Sequence, residues 1–139
     1  MSQNALKQIL KDYFSKQPAV EVVYLYGSSS KNDIKNPNDI DLAILFQKHF
    51  ANRYQSRLRY VSALQIRLQQ KVDIQDMESC RVDFAYRVIQ EGKVVYCRNE
   101  ERRVRSETTI LNTYFDLNPF LIEYYEVLRR QALKGDFYA

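Results

Sequence analysis

The run VEVVYLY, residues 20–26, constrains the fold of this chain more than any other stretch. It is almost continuously β-branched and aromatic, so both parities are apolar. A strand of that kind is buried on both faces and belongs at the centre of a sheet. Helical stripes surround it. Ala5, Leu6, Ile9, Leu10, Tyr13 and Phe14 share one face over residues 3–16, and Gln17-Pro18 ends that helix. A second helix is predicted over 48–70, with Tyr54, Leu58, Val61, Leu64 and Leu68 as its apolar row. A third spans 79–91, burying Phe84, Ala85, Val88 and Ile89, with Gly92 as its cap. From 99 to 134 the pattern is again helical, with Asn118-Pro119 as a cap-and-first-turn pair or a kink.

Three further strands are readable. DIDLAILF (39–46) alternates, with Ile40, Leu42, Ile44 and Phe46 on one face and Asp39, Asp41 and Ala43 on the other. KVDIQDM (71–77) sets Val72 and Ile74 opposite Asp73 in parity, and KVVYC (93–97) makes a short edge strand. The order α-β-β-α-β-α-β-α predicts an α/β (α+β) protein, a mixed sheet of about four strands with helices packed on it. At 139 residues the expectation is a single domain, 1–139, with a core over 1–97 and a helical region over 98–139.

Composition removes several function classes. No apolar run approaches a membrane span, and the amphipathic N-terminal pattern lacks a signal-peptide core. Cys80 and Cys97 have no metal-type spacing and read as reduced core residues of a cytoplasmic protein. His49 is the only histidine, which leaves no His-based catalysis or His-rich metal site. The net charge of +4 favours an acidic partner, a polyanion or a nucleotide, but many solvated surfaces carry as much.

The chemistry concentrates in YGSSSKNDIKNPNDIDLAI, residues 26–44. Strand parity puts the carboxylates of Asp39 and Asp41 on one face, a few ångströms apart. Like charges so close repel unless a cation sits between them, and oxygen-only ligands suit Mg²⁺. The plainer reading is a solvated strand face with two unrelated aspartates. Gly27 at a strand end lets backbone approach a ligand, and Ser28 with successive N–H groups can hold phosphate oxygens. Gly-Ser also ends strands for turn reasons alone. Asp73 joins the pair if its strand neighbours the second one, and three carboxylates can support two metal ions for an in-line displacement. Asp76 has the wrong parity and Asp83 lies on a helix.

Taken together, Gly27-Ser28, ten intervening residues, Asp39-Ile40-Asp41 and an Asp73-bearing strand resemble the nucleotidyltransferase superfamily related to DNA polymerase β. The small size is similar to the minimal nucleotidyltransferase (MNT) antitoxins of HEPN/MNT toxin–antitoxin pairs. The resemblance implies a polymerase β-like fold, ATP as substrate and two Mg²⁺ ions. Gly27 and Ser28 would hold the β- and γ-phosphates, while Lys31, which keeps the positive charge of the motif, is either a triphosphate contact or a solvated loop lysine. Asp39 and Asp41 would ligate both metals, and Asp73 would complete the site that receives the attacking hydroxyl. It further implies transfer of AMP to a tyrosine of a HEPN-domain ribonuclease toxin held in a hetero-oligomer, with no direct nucleic-acid binding. The alternatives are transfer to a small molecule or RNA, or an inactive antitoxin that acts by binding alone. The run Gly27-Ser28-Ser29-Ser30-Lys31-Asn32 departs from the common G-S-x-A-R/K-G at Ser30 and Asn32.

Two surface groups stay open. Arg98, Arg102, Arg103 and Arg105 form a basic cluster, for phosphate, RNA or an acidic partner, or a solvated face interleaved with Glu100, Glu101 and Glu107. Tyr114, Phe115, Phe120, Tyr124 and Tyr125 either dock a partner helix or cover the sheet.

Overall fold

The computed structural model describes residues 1–27 and 39–134, apart from the side chains of Leu121 and Tyr125. The elements follow the predicted order: α1 (Gln3–Ser15), β1 (Val20–Tyr26), β2 (Asp39–Phe46), α2 (Arg53–Leu68), β3 (Lys71–Asp76), α3 (Val82–Glu91), β4 (Lys93–Cys97) and α4 (Glu100–Lys134). The sheet runs β3-β2-β1-β4, so the two most apolar strands are central and the short β4 is an edge. β1 pairs antiparallel with both β2 and β4, while β2 and β3 are parallel, joined by the α2 crossover.

Both faces of the sheet are covered, as the two apolar parities of β1 require. On one side Ile40, Leu42, Ile44 and Phe46 pack with Val23 and Leu25 against Leu6, Leu10 and Phe14 of α1 and Tyr60 and Leu64 of α2. On the other, Val22, Tyr24, Ala43 and Leu45 meet Ala85 and Val88 of α3 and Ile110 of α4. The start of α1 is fixed by Ser2, whose Oγ accepts the Ala5 N–H at 3.1 Å.

Two expectations need correction, and one alternative is decided. α2 begins at Arg53 rather than 48, because a turn follows Phe46 and places exposed His49 at φ 67°. Its buried row is Ser56, Tyr60, Leu64 and Leu68, whereas Tyr54 (64% exposed) and Leu58 (50%) face solvent. Tyr60 wins that face because its ring meets Phe14 at 5.6 Å and Phe46 at 6.4 Å. Of the two readings of Asn118-Pro119, the cap of a new helix is excluded, because α4 continues through Pro119. That proline is exposed, so water can serve the carbonyl it leaves without a donor.

Candidate active site

Register brings the acidic residues together. In the parallel β2/β3 pair Asp41 is directly opposite Asp73, and Asp39 is opposite Lys71. In the antiparallel β1/β2 pair Tyr26 is opposite Asp41. Directly opposed residues share a face, so Tyr26, Asp41 and Asp73 form a row across three strands, with roughly 5 Å between neighbouring strands. Period-two alternation puts that row on the side of Ala43 and Leu45, the face that carries α3 and α4. The Tyr26 ring rests edge-on against Phe84 of α3, centroids 5.3 Å apart.

Gly27 ends β1 at φ +75°, and a Cβ built there would stand 2.6 Å from Asp41 Oδ2. The left-handed backbone is what favours glycine at this point, and any Cβ there would in addition push the Asp41 carboxylate aside. Ser28 and Lys31 lie outside the described residues.

The electrostatics are those of crowded like charges. Burial is the largest influence raising the Asp41 carboxyl above its ordinary 3.8, followed by Asp73 and then Asp39, while Lys71 opposes them. The Tyr26 phenol is raised as well, by burial first and then by Asp41 and Asp73. Asp73 Oδ2 accepts from Gln75 Nε2 at 3.2 Å. Among the described residues no ion pair involves Asp39, Asp41 or Asp73.

These residues fit a hard divalent cation. The donors are all oxygen, and their mutual repulsion is what such an ion relieves. Among the described residues no three His, Cys, Asp or Glu side chains close into a ready-made cage.

The other candidates are engaged elsewhere. Asp76 is buried against Arg53, and Asp83 pairs with Arg81 at the start of α3. Arg98 donates to Tyr96 Oη and to the carbonyls of Pro18 and Ser15. Arg102 pairs with Glu78, Arg103 with Glu100 and Glu107, and Arg105 with Glu101. The basic cluster is thus an interleaved, internally paired helix face. Cys80 and Cys97 are free, partly buried thiols, both raised chiefly by burial. Sequence reasoning missed Tyr26 and Lys71 as neighbours of the carboxylates. Position carried the signal in each: Tyr26 directly precedes Gly27, and Lys71 shares the parity of Asp73.

Residues 8–101 match the polymerase beta nucleotidyltransferase family. The chain belongs to that family. This nucleotidyltransferase is 25% identical over 112 residues to the protein adenylyltransferase MntA of Shewanella oneidensis, covering 79% of this chain and 76% of the relative. Its fold is similar to the structure of a tri-AMPylated S. oneidensis HEPN toxin in complex with MNT antitoxin, with a TM-score of 0.67. That match has 21% identity and covers 96% of this chain and 97% of the other. A toxin–antitoxin structure with AMP-PNP matches at a TM-score of 0.65 and 23% identity, covering 98% of each chain. No helix among the described residues is long and apolar enough to cross a membrane.

Proposed function

We propose that this nucleotidyltransferase is an antitoxin that transfers AMP from ATP to a tyrosine of a cognate HEPN-domain toxin and so silences it. The observation that carries the reading is the direct pairing of Asp41 with Asp73 beside the glycine that ends β1. The similarity to an adenylyltransferase and to toxin–antitoxin complexes supports the choice of nucleotide and acceptor.

Asp39, Asp41 and Asp73 would hold Mg²⁺. When bound, that ion offsets the triphosphate charge and makes an acceptor hydroxyl more acidic. Gly27 and Ser28 cradle the β- and γ-phosphates, and Lys31 adds a positive charge beside them. The acceptor phenol oxygen forms a bond to the α-phosphorus while the bond from that phosphorus to the bridging oxygen breaks, and pyrophosphate departs. Asp73, exposed on the outer strand of the row, would take the phenolic proton or, as a metal ligand, help to lower its pKa. Bulk and negative charge added to the toxin then oppose binding of RNA phosphates.

The test incubates the protein with labelled ATP, Mg²⁺ and its cognate HEPN-domain protein. Label is expected on that protein, together with loss of its ribonuclease activity. Asp39→Ala combined with Asp41→Ala should cut transfer at least ~10³-fold, since removing even one charge-stabilising group costs about 10²–10³. Label on RNA or a small molecule, or full neutralisation by the double variant, overturns the reading.

A further inference from the structure

The two halves of α4 differ in character. The first is anchored to the domain. Arg102 Nη2 donates to the Phe46 carbonyl at 3.0 Å, the Tyr24 hydroxyl donates to Glu107 at 3.3 Å, and Ile110 is buried. Tyr114 then stacks on Tyr86 of α3, centroids 3.8 Å apart. These anchors set a direction. Phe46 pairs with Val20 at the start of β1 and Tyr24 lies near its end, so α4 runs alongside β1 towards Gly27. Beyond Tyr24 the strand has only about 7 Å left, whereas α4 has roughly 40 Å left after Glu107. Its second half therefore projects past the end of the sheet that carries Gly27, Asp41 and Asp73, on the face those carboxylates share.

That projecting half is apolar and exposed. Leu117 stands two turns beyond buried Ile110, and Phe120, Val127 and Leu128 continue the row at helical spacing. Phe120 is 69% exposed, whereas Phe115 and Ile122 lie on the opposite side of the helix, Phe115 beside Tyr86 and Ile122 beside the end of α3. The exposed apolar side chains of that row present on the order of 400 Å², the size of the largest and often functional patch on a typical monomer. Its charges cancel: Asp116, Glu123 and Glu126 stand against Arg129, Arg130 and Lys134. A surface with no net field recruits a protein rather than a polyanion. Its place on the face of Asp41 and Asp73, past the end of the sheet where an acceptor has to arrive, favours the acceptor over a second copy.

We propose that residues 115–134 of α4 are the docking arm for the acceptor protein, which lays an apolar helix along Leu117, Phe120, Val127 and Leu128 and so holds its hydroxyl over Asp41 and Asp73. The inference rests on the protein-acceptor reading above. The arm supplies what the compact fold lacks, a surface that binds a macromolecular substrate beside the chemistry.

The probe is the cognate HEPN-domain protein, and two quantities are read: its complex with this chain by sedimentation velocity, and its KM in AMP transfer. Phe120→Glu with Leu128→Glu should weaken the complex and raise KM at least ~30-fold, the size of a hot-spot loss. The Kd for ATP and the thermal midpoint should stay unchanged, because both side chains are exposed. Phe120→Ala with Leu128→Ala, which adds no charge, should show the same direction at smaller size. An unchanged complex and KM in these variants overturns the arm while the transferase reading stands. So does a wild-type chain that fails to bind the HEPN protein, or that uses the arm only to pair with itself. Arm-dependent binding without any AMP transfer supports the arm and sinks the transferase reading.

Discussion

β3 carries two aspartates three residues apart, and the protein treats them in opposite ways. Asp76, at one end of the sheet, is 1% exposed and fully served. Arg53 Nη1 donates to its two oxygens at 3.2 and 3.0 Å, the Glu78 N–H donates at 2.9 Å, and so does the Ser79 hydroxyl. Glu78 in turn joins Arg53 to Arg102 of α4, so this cluster ties α2, β3 and α4 together. Asp73, at the Gly27 end, has Gln75 as its hydrogen-bond donor and another carboxylate, Asp41, as its cross-strand neighbour. Where an acid builds structure, the chain provides the counter-charge. At the Gly27 end the described residues set several acids side by side with Lys71 as the nearby opposing charge, an arrangement that a bound cation would relieve.

Exchanging the fates of these two residues is the strongest way to break that contrast. Asp76→Ala leaves Arg53 with Glu78 and the carbonyls of Phe50 and Gln47 but without its buried carboxylate, and removes two turn-capping hydrogen bonds. It should cost about 3–5 kcal/mol, the usual price of orphaning one member of a buried pair, read as a fall in the urea midpoint at constant slope. Asp73→Ala should stay within about 0.5 kcal/mol of wild type, as an exposed site would, and yet lose most transfer activity. An unfolded Asp73 variant beside an intact Asp76 variant would reverse the assignment of the two ends.

Gly27→Ala probes the active end alone and is the next largest effect. The left-handed backbone costs a Cβ-bearing residue about 1–2 kcal/mol, and here the new Cβ would also press on Asp41 Oδ2 from 2.6 Å. Displacing that carboxylate should lower transfer by about 10–100-fold, since misplacement of about 1 Å costs that much. Stability should fall less than in Asp76→Ala. An alanine variant with full activity would mean that the close passage of Gly27 past Asp41 is incidental.

Much of this was legible before any coordinates. VEVVYLY and DIDLAILF mark β1 and β2 to the residue, because apolar parity over seven or eight positions has few alternatives. The same parity put Asp39 and Asp41 on one face and Asp73 on the polar face of its own strand, and the structure added the strand adjacency and register that set Asp41 against Asp73. Register depends on how the α2 crossover returns the chain, which is tertiary information. The α2 face was misread for a related reason. Its sequence offers two overlapping apolar rows, and the choice was made by Phe14 and Phe46, residues far away in the chain that Tyr60 meets only after folding. Tyr26 escaped notice because a tyrosine that ends an apolar strand looks like core until its strand partner is known.

The smallest effect is the one most particular to the Gly27 end. Asp41 has a raised carboxyl, so the native state holds its proton more tightly than the unfolded chain does. The native state therefore binds more protons in that window, and stability falls as pH rises from the ordinary 3.8 up through the raised native value. Above that value the deficit is complete and persists to neutrality. Asp41→Asn removes the titrating group, so in metal-free buffer the variant should gain in thermal midpoint over wild type as pH climbs from about 4 to about 8. The gain should be small, because Asp41 remains partly exposed and water screens its neighbours. Added Mg²⁺ should then stabilise wild type by mass action and the asparagine variant far less, closing the gap from the other side. Parallel pH curves for the two proteins, unaltered by Mg²⁺, would show that the row of carboxylates carries no unresolved charge and that the two ends of the sheet are alike after all.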